Sequence, residues 1–292
     1  MSAIILDGKK AREAIFPKLE EKIGKLPVVP TLAIVQVGMR PDSTAYIGAK
    51  LSFANKIGVK TEITNLSETS TEQEIINKVN ELNLRKDVDG IIVQLPLPKE
   101  VDKKNIVEAI DPNKDVDVLS STSIKRFEEQ GDNIIPATAR GIKELLNFYK
   151  IDLHAKKVTV VGRSALVGSP VAKMCRLAGA EVTVCHSKTS PQELIESARK
   201  ADILIVAAGH AKLIGTEHVR GGQVVVDVGI NTVTGEKLEE EMASKKLVGD
   251  TKFDEIKDIV YAITPVPGGV GPMTVLALFE NLADICARNQ NM

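Results

Sequence analysis

This 292-residue chain has no tryptophan, and aromatic residues make up only 3% of it. So few flat rings leave no platform on which nucleic-acid bases could stack. Charge gives no help to such a partner either. Lys and Arg number 38 against 39 Asp and Glu, for a net charge of −1 and no basic stripe. Cysteines are few, odd in number and far apart: Cys175, Cys185 and Cys286. None forms a Cys-x-x-Cys pair, so reduced, mostly buried thiols of a cytoplasmic protein are expected. The four histidines lack metal-ligand spacing, and no metal is expected. The N-terminus lacks a basic-then-apolar signal, and no apolar run is expected to reach the length of a membrane span.

What is present is ordinary globular composition, 43% hydrophobic and 26% charged, with enough residues for two domains. Strand-like and helix-like segments alternate. Residues 8–24 have helical periodicity, and Thr31–Val37 is an apolar strand. Pro41 and Asp42 open a helix that Gly58 closes, and residues 59–64 form a second strand. Thr71-Glu-Gln-Glu74 is a capping signal for a helix to about Leu84, and residues 89–95 form a third strand. Residues 111–135 break the pattern and are expected to be a long loop with short structure. After a helix over 138–149, a second alternating unit has strands near 157–162, 181–185, 202–207, 224–229 and 259–263. This alternation predicts an α/β fold with parallel sheets covered by helices.

Thr264–Thr274 packs three prolines and three glycines into eleven residues. Proline fixes φ and glycine permits positive φ, so the backbone is bent into one path. It suits either close approach to a flat or anionic ligand or a tight structural turn. Farther back, the strand Lys157–Val161 runs through Gly162, Arg163, Ser164, Val167 and Gly168 into a helix. A glycine turn at a helix N-terminus is an anion site, although strict G-x-G-x-x-G spacing fails here. The next strand ends in His186-Ser187-Lys188-Thr189 rather than in Asp or Glu. Hydroxyls and a lysine there, with Arg163 in the turn, suit a 2′-phosphate and favour NADP over NAD. Ala207–Gly209 and Asp227–Asn231 end further strands and belong to the same rim.

In the first half, Tyr46 and Lys50 lie four residues apart on one helical face. Gln94 sits at a proline-terminated strand end, and Asp117 follows in the long loop. Lys50, Gln94 and Asp117 could meet at the sheet rim. A lysine partly desolvated there can exchange protons near neutral pH.

Together these motifs resemble the bifunctional methylenetetrahydrofolate dehydrogenase/methenyltetrahydrofolate cyclohydrolase family. The matching segments are Tyr46-x-x-x-Lys50, residues 93–98, Lys114–Asp117, Val161–Pro170, residues 186–189, Asp227–Asn231 and Pro265–Thr274. The resemblance implies an N-terminal α/β catalytic domain over 1–139, a Rossmann-like NADP-binding domain over 140–272, and a C-terminal helix, 273–292, that returns to the first. It implies a folate cleft between the domains and a homodimer acting on tetrahydrofolate derivatives, with no membrane partner. Lys50 would be the catalytic lysine, with Tyr46 near the folate, Gln94 orienting Lys50, and Asp117 on the pterin. Gly162, Arg163, Ser164, Val167, Ser187, Lys188, Ile230 and Thr138 would contact NADP. Pro265, Gly268 and Gly269 would line the folate side. Two departures stand out. Val118 occupies a position where the family usually has Gly, and Pro136-Ala-Thr-Ala-Arg-Gly141 lacks the family's usual Cys and second Pro. A different NADP-dependent dehydrogenase, or a non-catalytic NADP or folate sensor, are the alternative readings.

Overall fold

The computed structural model describes residues 3–130, 134–234 and 245–290. In chain order the elements begin with β1 (Ile4–Ile5), α1 (Gly8–Gly24), β2 (Thr31–Val37), α2 (Pro41–Lys56) and β3 (Lys60–Leu66). They continue with α3 (Glu72–Leu84), β4 (Gly90–Val93), α4 (Lys103–Glu108), α5 (Ser121–Gln130) and α6 (Ala137–Phe148). Next come β5 (Lys157–Val161), α7 (Gly168–Leu177), β6 (Glu181–Cys185), α8 (Pro191–Lys200), β7 (Ile203–Val206) and β8 (Val224–Asp227). The last are β9 (Asn231–Thr234), β10 (Lys245–Val248), α9 (Phe253–Ile256), β11 (Ala262–Ile263) and α10 (Val270–Gln290).

Two compact units result. One holds residues 1–13 and 138–274, the other residues 14–137 and 275–292. In the first unit a parallel six-stranded sheet runs β1-β11-β8-β7-β5-β6. Its inner strands β7 and β8 are buried along their whole length, as a sheet covered on both faces requires. The strands before and after β5 in this order, β7 and β6, lie on opposite sides of it. The carboxyl end of β5 is therefore a topological switch point, where open α/β sheets bind ligands.

The second unit has a parallel sheet in the order β3-β2-β4. Central β2 is wholly buried, whereas edge strand β3 alternates between exposed and half-buried residues. From Val275 onward helix α10 belongs to this unit, so the C-terminal helix returns to the unit built from the N-terminal half of the chain. Asn281 on α10 donates to the Val116 and Ile135 carbonyls at 2.8 and 2.7 Å. A Cβ on Gly90 would come within 2.6 Å of Leu282 and Val116, so the start of β4 fits against α10 only as glycine.

Several expectations are corrected. Residues 1–13 cluster with 138–274, because β1 pairs in parallel with β11. Within 111–135 the chain forms the ten-residue helix α5. Of the strand expected at 259–263 only Ala262–Ile263 forms, and the antiparallel β9–β10 hairpin was not foreseen. Val270–Asn289 does reach the length and apolarity of a membrane span, with a mean hydropathy of 1.3, but it is a core helix, 72% buried in the protein.

Candidate active site

In the second unit the site is built on three carboxyl-end segments. Pro41 opens α2 with its fixed φ, and Ile47, Phe53 and Ala54 bury one face of that helix. The other face carries half-exposed Tyr46 and, one turn on, half-buried Lys50. Strand β4 pairs with β2, and the Gln94 amide N–H continues the ladder to the Val35 carbonyl at 2.9 Å. Gln94 thus projects from the strand end at a fixed height. Its Nε2 donates to the Leu95 carbonyl at 2.7 Å, which turns Oε1 toward Lys50. Lys50 Nζ donates to that oxygen at 3.0 Å.

Asp117 arrives on a segment bridged to β4 at Ile91–Asp115. Burial pushes the Lys50 ammonium below its ordinary range, and the Asp117 charge pulls it partly back. Burial pushes the Asp117 carboxyl up, the Lys50 charge pulls it down, and Asp115 pushes it up. Both shifts favour neutral forms.

The turn that presents Asp117 is held by Asp115, whose buried carboxylate accepts from Leu119 N at 3.0 Å and Ser120 N at 2.9 Å. Within it Val118 has φ of +57°, the left-handed region that β-branched residues rarely adopt. A glycine meets that requirement without strain, which gives a physical meaning to the departure noted at this position.

In the first unit a cavity of about 660 Å³ opens at the carboxyl ends of β5, β6 and β7. It brings together Gly162, Arg163, Ser164 and Ser187 with His186, Ala207 and Ala208. Val167, Lys188, Ile230 and Thr138 are not among its lining residues. Gly162 has φ of +122°, and a Cβ there would fall 2.1 Å from the Ala207 carbonyl oxygen. A Cβ on Gly168 would fall 2.3 Å from the Gly162 carbonyl oxygen. Both glycines are therefore required for the backbone of the turn to pack against the strand ends, which holds the turn and the start of α7 at the rim of the cavity. Ser164 Oγ accepts from the Val167 and Gly168 amides, so this hydroxyl shapes the turn as well as facing the cavity. Sequence reasoning passed over Leu194, Ile195 and Leu213, and gave His210 and His218 only structural or solvated roles, yet all five line the cavity. Only their location after strand ends could have pointed to them.

The Pro-Gly loop also belongs to the first unit. Gly268, at φ of +109°, accepts from Gly8 N at 2.9 Å, and Gly269 N donates to the Pro265 carbonyl at 2.9 Å. A Cβ on Gly8 would come within 1.8 Å of the Gly269 oxygen. The Gly268 carbonyl thus seats the start of α1, while the Gly269 N–H closes the loop on itself. Thr138 starts α6 in the same unit, and Gly141 lets that helix touch the Met273–Thr274 backbone, where a Cβ would come within 2.8 Å. Tyr46, Lys50, Gln94 and Asp117 all lie in the second unit.

Two models of one protein family together match most of the chain. Residues 6–117 match the tetrahydrofolate dehydrogenase/cyclohydrolase catalytic domain, and residues 136–290 match the NAD(P)-binding domain of the same family. The bifunctional protein FolD of Brevibacillus brevis is 42% identical over 285 residues, 96% of each chain. The bifunctional dehydrogenase/cyclohydrolase FolD of Campylobacter jejuni superposes with a TM-score of 0.90 at 38% identity, covering 99% of this chain and 100% of that one. The Trypanosoma brucei enzyme, solved with NADP cofactor and an inhibitor, gives 0.92 at 32% identity over all of both chains.

Proposed function

The chain belongs to the tetrahydrofolate dehydrogenase/cyclohydrolase family, and on that premise we propose how its residues divide the work. The enzyme oxidises 5,10-methylenetetrahydrofolate to 5,10-methenyltetrahydrofolate with NADP, then hydrolyses the product to 10-formyltetrahydrofolate. The cavity at the strand ends suits the cofactor, with the turn that begins at Gly162 and with Arg163, Ser164 and Ser187 around it. NADP supplies the hydride acceptor. Arg163, Ser187 and Lys188 recognise its 2′-phosphate, and Val167, Ile230 and Thr138 complete the surround.

Loss of hydride from the one-carbon bridge needs no acid or base. Hydrolysis does, because water must lose protons as it attacks the cationic carbon and the ring nitrogen must gain one as it leaves. Lys50 carries these transfers. Its burial raises the neutral fraction, and the 3.0 Å bond to an orientation-locked Gln94 aims Nζ. That pairing is the observation on which the assignment rests. A positioned acid–base group of this kind contributes about 10²–10⁴-fold. Asp117 binds the pterin and balances the lysine charge, and Tyr46 contacts the folate.

The test runs both reactions on Lys50→Met: methenyltetrahydrofolate decay and NADPH formation. Hydrolysis is expected to vanish while oxidation falls less. Full hydrolytic activity in the folded variant removes Lys50 from the mechanism. A different NADP-dependent dehydrogenase or a sensor would turn over no methylenetetrahydrofolate in the same assay. We place the enzyme in the cytoplasm, supported by three buried free thiols. The family resemblance supports a homodimer, which light scattering of the purified chain tests.

A further inference from the structure

Two buried carboxylates in the first unit have no part in the chemistry above. Asp227 ends β8 and is 2% exposed, and Asp250 is wholly buried. Neither forms an ion pair among the described residues, so each must be satisfied by hydrogen bonds alone. Asp227 accepts four: from Gly229 N and Asp250 N on one oxygen, and from Thr251 N and Thr251 Oγ1 on the other, at 2.7–3.0 Å. That matches the lone-pair capacity of a carboxylate and ties the 249–251 turn to the end of β8.

The turn then presents Asp250. Its Oδ2 accepts from Ala208 N at 2.7 Å and Gly209 N at 2.8 Å, and its Oδ1 accepts from Asn231 Nδ2 at 2.8 Å. The approach is so close that only glycine fits beside it. A Cβ on Gly229 would fall 2.3 Å from the Asp250 carboxylate, and one on Gly249 would fall 2.0 Å from Asp227 Oδ2. Ala207 and Ala208 form one wall of the cavity, and the Ala207 carbonyl occupies the space that Gly162 leaves open. Asp250 therefore holds the loop after β7 and the loop after β8 from a third segment, distant in sequence from both.

We propose that Asp250 is a positioning residue for the dinucleotide: anchored by Asp227, its carboxylate fixes the Ala208 and Gly209 amides and so sets the Ala207–Ala208 wall of the cofactor cavity without touching the ligand. The inference rests on NADP occupying this cavity. Hydrolysis depends on Lys50 in the other unit and consumes no cofactor, so one chain carries its own control.

Asp250→Ala, Asp250→Asn and the unmutated enzyme are titrated with NADPH by its fluorescence. They are also assayed for methenyltetrahydrofolate hydrolysis without cofactor. Asp250→Ala removes the acceptor that fixes the Ala208 and Gly209 N–H groups, and its Kd for NADPH is expected to rise about tenfold or more. Asp250→Asn can turn its oxygen to the two amides and its NH₂ to Asn231, whose own amide can flip to accept. Affinity then returns to within about threefold of the unmutated enzyme. Hydrolysis is expected to stay near normal in both. Unchanged NADPH affinity in Asp250→Ala overturns the proposal, as does an equal loss of affinity and hydrolysis. If Asp250→Ala does not fold, Asp250→Ser, with one acceptor, replaces it and must bind more weakly than Asp250→Asn. Failure of the unmutated enzyme to bind NADPH would instead overturn the cofactor assignment.

Discussion

Lys50 shows how a residue's chemistry is set by neighbours that sequence spacing only partly reveals. The four-residue step from Tyr46 was legible, and so was a polar residue closing a proline-ended strand. The orientation lock on Gln94 was not, because it depends on the Leu95 carbonyl of a backbone path with a cis Leu95–Pro96 bond. The electrostatics make a signed prediction. As general base, Lys50 acts when neutral, so hydrolysis declines as pH falls through a pKa that burial holds below 10.5. Ionised Asp117 opposes that shift. Asp117→Asn removes the opposing charge, so the acid limb of the kcat–pH profile for hydrolysis should move to lower pH. Movement to higher pH would contradict the assigned roles. At the cofactor end, Arg163→Ala should raise KM for NADP⁺ far more than for NAD⁺, because a charge-assisted phosphate contact is lost. Equal use of both cofactors by the unmutated enzyme would remove the basis for that expectation.

Among the elements, legibility followed how local the determinants are. The capping box of α3 was visible as Thr71 and Glu74, and both reciprocal bonds form. Helix α5 was hidden because its opening looks like a polar Ser/Thr loop. Ser120 is in fact its cap, with Oγ accepting from Ser123 N at 3.3 Å. Strand β1 has two residues and no signal of its own, since it exists only through pairing with β11. The Pro-Gly loop was legible as a constrained path but not as a seat for α1, because its partner lies about 260 residues away at Gly8. Gly8→Ala drives a methyl into the Gly269 carbonyl and should destabilise the protein by about 1–3 kcal/mol, as overpacking does. A lowered urea midpoint with unchanged m-value would register this, and an unchanged midpoint would show that the loop yields freely.

At the scale of the whole molecule, the chain passes between its two units inside helices. Unit membership changes inside α1, after Glu13, in the first turn of α6, after Ala137, and inside α10, after Thr274. Pro17 in α1 has no N–H to offer the Glu13 carbonyl, so the helical ladder is interrupted where the first crossing occurs. Because of the last crossing, residues from Val275 onward complete a core that began near residue 14. Leu276, Phe279, Leu282 and Ile285 are all fully buried. This return was legible only through family resemblance, since an apolar helix of this length carries no mark of which core it joins. Asn281 gives the return its specificity. It is fully buried and joins two backbone carbonyls, on Val116 and Ile135, from the segments on either side of α5. Asn281→Leu keeps the branched shape, in a larger side chain, but leaves both carbonyls without that donor, at about 1–3 kcal/mol each. The variant should therefore lose stability in the unit that carries Lys50. Hydrolytic activity should disappear at a clearly lower urea concentration than in the unmutated enzyme. If the midpoint is unmoved, water or a shifted backbone replaces those bonds, and α10 is held by its apolar face alone.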